Sequence, residues 1–225
     1  MVLHLFPLRG DLDILSYLWM IFFRYTWIYL LYHRFEFVSI YKTFHKMIET
    51  QFNRIVKVFR SNNAQEYNDK SFLSFLDNHW TLTLWSCPYI SQQNGCAKWK
   101  HCHILHDVCT LLIFASILQR FWGEAALTAV YTINQIPSPT THIKSPFRLL
   151  YGQTPDYFSL WVFRCDCFVS LSPHEGTKLQ PRAHLCCFLG YGVSQKGFHC
   201  YDPISHCLCV SRYVKFWEHC PFTSL

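Results

Sequence analysis

Strand-like and helix-like segments alternate along the first half of the chain, and this alternation limits the possible folds more than any other feature. Residues 25–32 (YTWIYLLY) and 55–60 (IVKVFR) are rich in β-branched and aromatic side chains, which predicts strands. Between them, residues 39–53 predict an amphipathic helix, because four apolar side chains share one face: Phe44, Met47, Ile48 and Phe52. Strands that alternate with helices favour an α/β layer over a bundle or a sandwich.

The alternation continues as far as residue 135. Asn68 or Asp69 can accept hydrogen bonds from the first turn of a helix that begins immediately afterwards. Residues 81–85 predict another strand. Two helical stretches follow, from about 97 to 117 and from about 123 to 135.

The pattern changes after the helical stretches. Pro137 and Pro139 interrupt it and mark a linker. Ser145 and Pro146 predict the start of a short helix that Gly152 ends. Beyond Pro155 the chain consists of short β-type runs separated by turn residues, which predicts a small β-barrel after the α/β part.

Composition excludes some classes of protein and leaves others open. Apolar residues make up 51% of the chain and charged residues 15%, which excludes a disordered charged tail. Twenty basic and fourteen acidic side chains give a net charge of +6. This excess suits a polyanionic partner without proving one.

Twelve cysteines raise the questions of disulfides and of zinc. No secretory signal pattern precedes them, so a disulfide-stabilised secreted protein is not favoured. The spacing closest to a zinc site is that of Cys102, His106 and Cys109, which lie on one face of the predicted helix. A fourth ligand is not evident, and a zinc-binding interaction module remains an alternative.

Residues 14–32 form an apolar run that approaches the roughly 20 residues needed to cross a bilayer. Arg24 near the middle of the run would cost roughly 2.5–3.5 kcal/mol to insert. The run is also rich in Trp, Tyr and Ile, which pack well in buried strands. A buried strand pair is therefore favoured, and a membrane anchor is the alternative.

Several motifs, in the same order, resemble the integrase region of copia-type LTR retrotransposon polyproteins. They are SNNAQEY, WSCPYISQQNG, FWGEAALTAVYTINQIPS, SPFRLLYG and KLQPRAHLCCFLGYGVSQKGFHCYDP. The resemblance extends from Arg24 to the end of the chain. It implies an α/β fold: an RNase H-like integrase core, with a mixed β-sheet flanked by helices, followed by a small SH3-like β-barrel. It also implies reduced, mostly buried thiols at Cys87, Cys165, Cys167 and Cys200.

The resemblance implies a domain organisation as well. We expect the core over residues 1–140, a linker with a short helix over 141–158, and the barrel over 159–220. Before about residue 24 the segment is truncated and scrambled relative to the family pattern. A one-nucleotide frameshift, restored near Arg24, accounts for its unusual sequence.

Family members use two aspartates and one glutamate to hold two Mg²⁺ or Mn²⁺ ions for DNA strand transfer. At the matching positions this chain has Asn62 in place of an aspartate and Lys98 in place of the glutamate. Neither side chain brings the negative charge that the ions need, and an ammonium repels a nearby cation. The first aspartate has no clear counterpart, since Asp11 and Asp13 are the only nearby acids and are expected to be solvated loop residues.

We therefore predict an inactive integrase remnant without a metal cofactor. Residual DNA binding, weak and nonspecific, would come from Lys98, Lys100 and His101, whose charges otherwise form a solvated helix face. The resemblance further implies oligomeric assembly and a nuclear location, and no membrane partner is expected.

Overall fold

The computed structural model describes residues 2–7, 14–19, 23–61, 67–87, 90–115, 119–170, 182–192 and 195–222. Two compact units divide the chain. The first unit comprises Met1–Ile104 and Pro137–Gln153, and the second comprises Leu105–Ile136 and Thr154–Leu225.

A five-stranded mixed sheet forms the centre of the first unit. Its strands are β1 (Val2–Pro7), β2 (Ile14–Trp19), β3 (Thr26–Leu31), β4 (Val58–Ser61) and β5 (Leu82–Trp85). The spatial order is β3-β2-β1-β4-β5; β1 to β3 are antiparallel, and β4 is parallel to both β1 and β5.

The antiparallel pairing of β2 with β3 confirms the strand pair predicted for the apolar run 14–32. The segment before residue 24 thus contributes two strands to the sheet despite its unusual sequence. In the part of the chain that the structure describes, no helix combines the length and hydropathy that a membrane crossing requires.

Two helices cover the sheet of the first unit with an aromatic layer. They are α1 (Glu36–Phe52) and α2 (Lys70–Asn78), and Asp69 caps α2 by accepting a hydrogen bond from the Phe72 N–H at 3.1 Å. The rings of Tyr41 on α1, Phe59 on β4 and Phe72 on α2 meet edge to face, with centroids 5.1–5.4 Å apart. Burying each such side chain stabilises the fold by about 1.5–3 kcal/mol.

Three further helices are α3 (Gly95–Phe114), α4 (Trp122–Gln135) and α5 (Pro146–Tyr151). The short helix α5 matches its prediction at both ends. The Ser145 hydroxyl accepts a hydrogen bond from the Arg148 N–H, and Gly152 ends the helix in the left-handed conformation at φ +74°.

The second unit contains a five-stranded antiparallel sheet in the order β10-β6-β7-β8-β9. These strands are β6 (Cys165–Ser170), β7 (Ala183–Tyr191), β8 (Phe198–Asp202), β9 (Cys207–Ser211) and β10 (Val214–Pro221). Phe188 and the thiols of Cys165, Cys167, Cys186 and Cys200 are buried together in its interior. The burial of three of these thiols was predicted, whereas Cys87, in the first unit, is exposed.

Helix α4 packs on β7 and lies in the second unit. The sequence analysis predicted that the core extends to residue 140. The contact depends on Gly190, whose φ of +139° is accessible to glycine alone and whose absent Cβ leaves room for the Thr128 hydroxyl. That hydroxyl donates a hydrogen bond to the Leu189 carbonyl at 3.1 Å. Tertiary packing of this kind leaves no periodic signal in a single sequence.

Replacing Gly190 with alanine is expected to lower the free energy of unfolding by about 3 kcal/mol, because the new methyl group collides with Thr128 and the backbone is strained. Gly152→Ala is the matched control: φ is +74°, but nothing lies within 4 Å, so the cost is about 1 kcal/mol. Urea unfolding of both variants measures the difference. Equal losses would contradict the packing role of Gly190.

Candidate functional site

A cavity of about 420 Å³ lies where the parallel strands β4 and β5 end, and we call it the β4–β5 cavity. In parallel sheets, ligands usually bind beyond the carboxyl ends of the strands. The lining side chains come from the two strands and from the segment that joins β5 to α3: Arg60, Leu84, Trp85, Ser86, Cys87, Gln93 and Asn94. All of them belong to the first unit.

Hydrogen bonds fold the segment after β5 back on itself beside the cavity. The Cys87 N–H donates to Gln93 Oε1 at 2.7 Å, and Asn94 Nδ2 donates to Ser86 Oγ at 2.8 Å. The Ser86 N–H donates to the Ser61 carbonyl at 3.1 Å, which ties the segment to the end of β4. A short 3₁₀ turn over Ser91–Asn94 then leads directly into α3.

Asn94 is the most buried polar side chain of the cavity lining, with 5% of its surface exposed. Its Oδ1 atom is buried and has no hydrogen-bond partner. A buried amide oxygen without a partner costs about 1–3 kcal/mol.

Lys98 lies in the first turn of α3 and is exposed, whereas Ala97, His101 and Ile104 form the buried side of that helix. The first turn of α3 contains no acidic residue. The positive end of the helix dipole therefore has no counter-charge from its own turn. The other positions that the resemblance connects with the family's metal ions lie outside the described residues. They are Asn62, Asp11 and Asp13.

The buried position of His101 does not fit the prediction that it contributes to a basic surface. Only 6% of its surface is exposed, and burial lowers the pKa of its imidazole to about 4. The ring is neutral at pH 7 and offers no charge to a polyanion. Lys98 is exposed and Lys100 is half-buried, so the lysines provide the charge on this part of the helix.

The three side chains of the predicted zinc-like spacing, Cys102, His106 and Cys109, lie on α3 and are exposed. Within the described ranges, no three His, Cys, Asp or Glu side chains are arranged to hold a metal ion. The described residues that line the β4–β5 cavity include no carboxylate. Two Mg²⁺ ions need several oxygen ligands with negative charge, so the described lining does not fit the family's metals.

Sequence reasoning missed Arg60, Ser86 and Asn94 as site residues. Charge does not single out Arg60 in the predicted strand 55–60, because Lys57 in the same strand is charged as well. Asn94 lies within the polar loop SQQNG, in which nothing singles out one amide as buried.

The two units define a class of protein: an RNase H-like core joined to an SH3-like module. Residues 165–225 match the family model described as the retroviral polymerase SH3-like domain. The cryo-EM structure of a simian T-cell lymphotropic virus intasome in complex with PP2A regulatory subunit B56 gamma has a similar fold. It aligns with a TM-score of 0.55 at 13% identity, covering 96% of this chain and 77% of that one.

Curated proteins that are similar in sequence to this chain are retrovirus-related Pol polyproteins of transposons. The chain is 35% identical over 204 residues to the retrovirus-related Pol polyprotein from transposon RE1 of Arabidopsis thaliana, and 34% identical to that from transposon RE2. It is 31% identical over 195 residues to the polyprotein from transposon TNT 1-94 of Nicotiana tabacum. Each match covers 87–90% of this chain and 14–15% of the polyprotein. The chain is a homologue of the retrovirus-related Pol polyproteins of copia-type transposons.

The neutral, buried state of His101 is expected to make the first unit less stable in acid. Its pKa is lowered from 6.5 to about 4, so the unfolded chain binds more protons than the folded chain between these values. Stability falls as the pH drops through this window, by up to about 3 kcal/mol from this group. Urea unfolding from pH 7 to pH 4 should show a shallower pH dependence for His101→Phe than for the unchanged chain. Parallel curves would contradict this assignment.

Proposed function

We propose that the chain is an integrase remnant that no longer catalyses strand transfer and that retains weak, nonspecific binding to DNA. The observation that carries the proposal is the composition of the β4–β5 cavity. Arg60 and uncharged side chains line it, and no carboxylate does so within the described residues. Lys98 stands at the position where the resemblance implies a metal-binding glutamate.

The chemistry of strand transfer explains why this composition matters. Two cations about 3.5–4 Å apart stabilise the attacking and leaving oxygens of an in-line displacement. Carboxylates keep such cations together by offsetting their charge. Replacing an acid with an ammonium changes the local charge by two units and costs several kcal/mol of cation affinity where water is partly excluded.

DNA binding does not depend on the metals in this way. The chain carries a net charge of +6, and phosphate contacts from lysine side chains depend little on base sequence. Lys98 and Lys100 are the residues that we assign to these contacts. The polyprotein relatives are about seven times as long as the region that matches this chain. Oligomeric assembly and a nuclear location are part of the proposal, as the family resemblance implies.

Restoring acidic residues at the two substituted family positions is expected to restore binding of a divalent metal ion. The double variant Asn62→Asp with Lys98→Glu should bind Mn²⁺ in the millimolar range, whereas the unchanged chain should show no saturable Mn²⁺ binding by calorimetry. Asn53→Asp with Lys57→Glu is the matched control, because it makes the same charge changes at exposed positions before β4.

A strand-transfer assay with Mg²⁺ or Mn²⁺ provides the direct test of inactivity. No joined product is expected from the unchanged chain. Product formation that disappears on mutation of an acid of this chain would refute the proposal.

DNA binding is expected to weaken steeply with salt. The double variant Lys98→Gln with Lys100→Gln should bind a labelled duplex less tightly and should reduce the slope of log affinity against log salt by about 2. Fluorescence anisotropy between low and moderate salt measures this slope. Lys70→Gln, at an exposed position on α2, is the single-charge control and should change the slope by no more than about 1. An unchanged slope in the double variant would contradict the assignment of these lysines.

A further inference from the structure

We propose that Cys167 and Cys200 of the second unit are a redox-active pair of thiols, which a low-molecular-weight disulfide converts into a disulfide bond within the chain. The inference goes beyond the proposed function, because it concerns the interior of the SH3-like unit and no residue of the β4–β5 cavity. It assigns a covalent modification site to this unit.

The contact between the two sulfur atoms is the first observation. Cys167 on β6 and Cys200 on β8 are fully buried, and their Sγ atoms lie 3.6 Å apart. The last step of disulfide formation is the attack of one sulfur on another, so two thiols in van der Waals contact are well placed for it. The sulfurs still have to approach by about 1.5 Å, because a disulfide bond is about 2.05 Å long.

The neighbouring thiols of the second unit have other contacts. The Cys209 thiol on β9 donates a hydrogen bond to the Cys200 carbonyl at 3.3 Å, so it points to the backbone of β8. Cys187 is fully buried but lies outside the cluster that contains the pair, and its sulfur is 4.0 Å from a backbone carbonyl. Cys186 and Cys209 share a side-chain hydrogen bond and are the competing pair.

The order of the strands determines which sulfur an oxidant reaches first. β9 is an edge strand that pairs only with β8, and its residues are exposed or half-buried. A strand with so few buried side chains opens at a low cost in free energy. Its detachment uncovers Cys200 on β8, whereas Cys167 on β6 stays between β10 and β7. Cys200 is therefore the attacking thiol, and Cys167 is the resolving thiol.

The reaction consists of two thiol–disulfide exchanges. The Cys200 thiolate attacks one sulfur of the reagent and forms a mixed disulfide, and the other half of the reagent leaves as a thiol. Cys167 Sγ then attacks the Cys200 sulfur, and the second half of the reagent leaves as a thiol. The two protein thiols lose two electrons and two protons in total, which the reagent takes up as it becomes two thiols.

The closed sheet protects the pair from this reaction. The hydrogen bond with Cys200, and then burial, raise the pKa of the Cys167 thiol well above its usual range. Thiolate is the attacking species, so exchange requires an opening that brings the sulfurs into water and allows β6 and β8 to approach each other. Urea below the unfolding midpoint should therefore speed formation of the bond.

Oxidation of the full chain with millimolar glutathione disulfide tests the proposal. Samples are quenched in acid, and their unreduced tryptic peptides are sequenced by tandem mass spectrometry. We expect a cross-link between Cys167 and Cys200 that dithiothreitol removes. Cys187→Ala is the matched control, because it removes an equally buried thiol and should leave the cross-linking rate within about twofold. The absence of this cross-link, or a dominant cross-link between Cys186 and Cys209, would overturn the inference.

Two single variants test the roles of the two thiols. Cys167→Ala should retain one glutathione on Cys200, because the resolving thiol is missing. Cys200→Ala should leave Cys167 free of glutathione, because the attacking thiol is missing. The urea midpoint of each variant reports that the chain remains folded. Glutathione on Cys167 in Cys200→Ala, or none on Cys200 in Cys167→Ala, would contradict the proposed reaction.

Discussion

The edge-to-face packing of aromatic rings between α1, α2 and β4 is the interaction on which the first unit depends. Tyr41, Phe59 and Phe72 are fully buried and each ring contacts the other two. These contacts fix β4 against the helices, and β4 in turn fixes the neighbouring strand β5 by parallel pairing. The cavity exists only because both strands end at the same level, so its geometry is a consequence of the core rather than of the polar residues that line it.

The ligand chemistry of the β4–β5 cavity depends on whether its side chains are positively or negatively charged. The fold itself does not determine this charge. A sheet edge formed by parallel strands and followed by a helix N-terminus carries a positive potential from the backbone alone. Carboxylates on that frame would bind cations, whereas Arg60 and Lys98 add to the backbone potential. A few side chains can therefore invert the ligand preference while the aromatic core stays the same.

The sequence predicted the elements whose signals are local. The Asp69 cap, the Ser145 cap and the Gly152 helix end all depend on residues within one turn of each other, and each is found as expected. The burial of His101 and the exposure of Cys87 were not predicted, because they depend on which neighbours tertiary packing brings to each side chain. Likewise, Arg60 and Asn94 meet at one cavity only through the parallel pairing of β4 with β5, which sequence distance does not reveal.

The interior of the second unit contains an unusual concentration of sulfur. Burial raises the pKa of the Cys165 and Cys186 thiols to about 12, and Cys167, Cys187 and Cys200 are buried as well. Thiolates are the species that react with alkylating agents, so the Cys165 and Cys186 thiols are inert at neutral pH for as long as the strands stay paired. The thiols at Cys96, Cys102 and Cys207 are exposed and open to such reagents. Alkylation of the interior thiols therefore requires the sheet to open. The rate of this alkylation would measure local unfolding of the second unit.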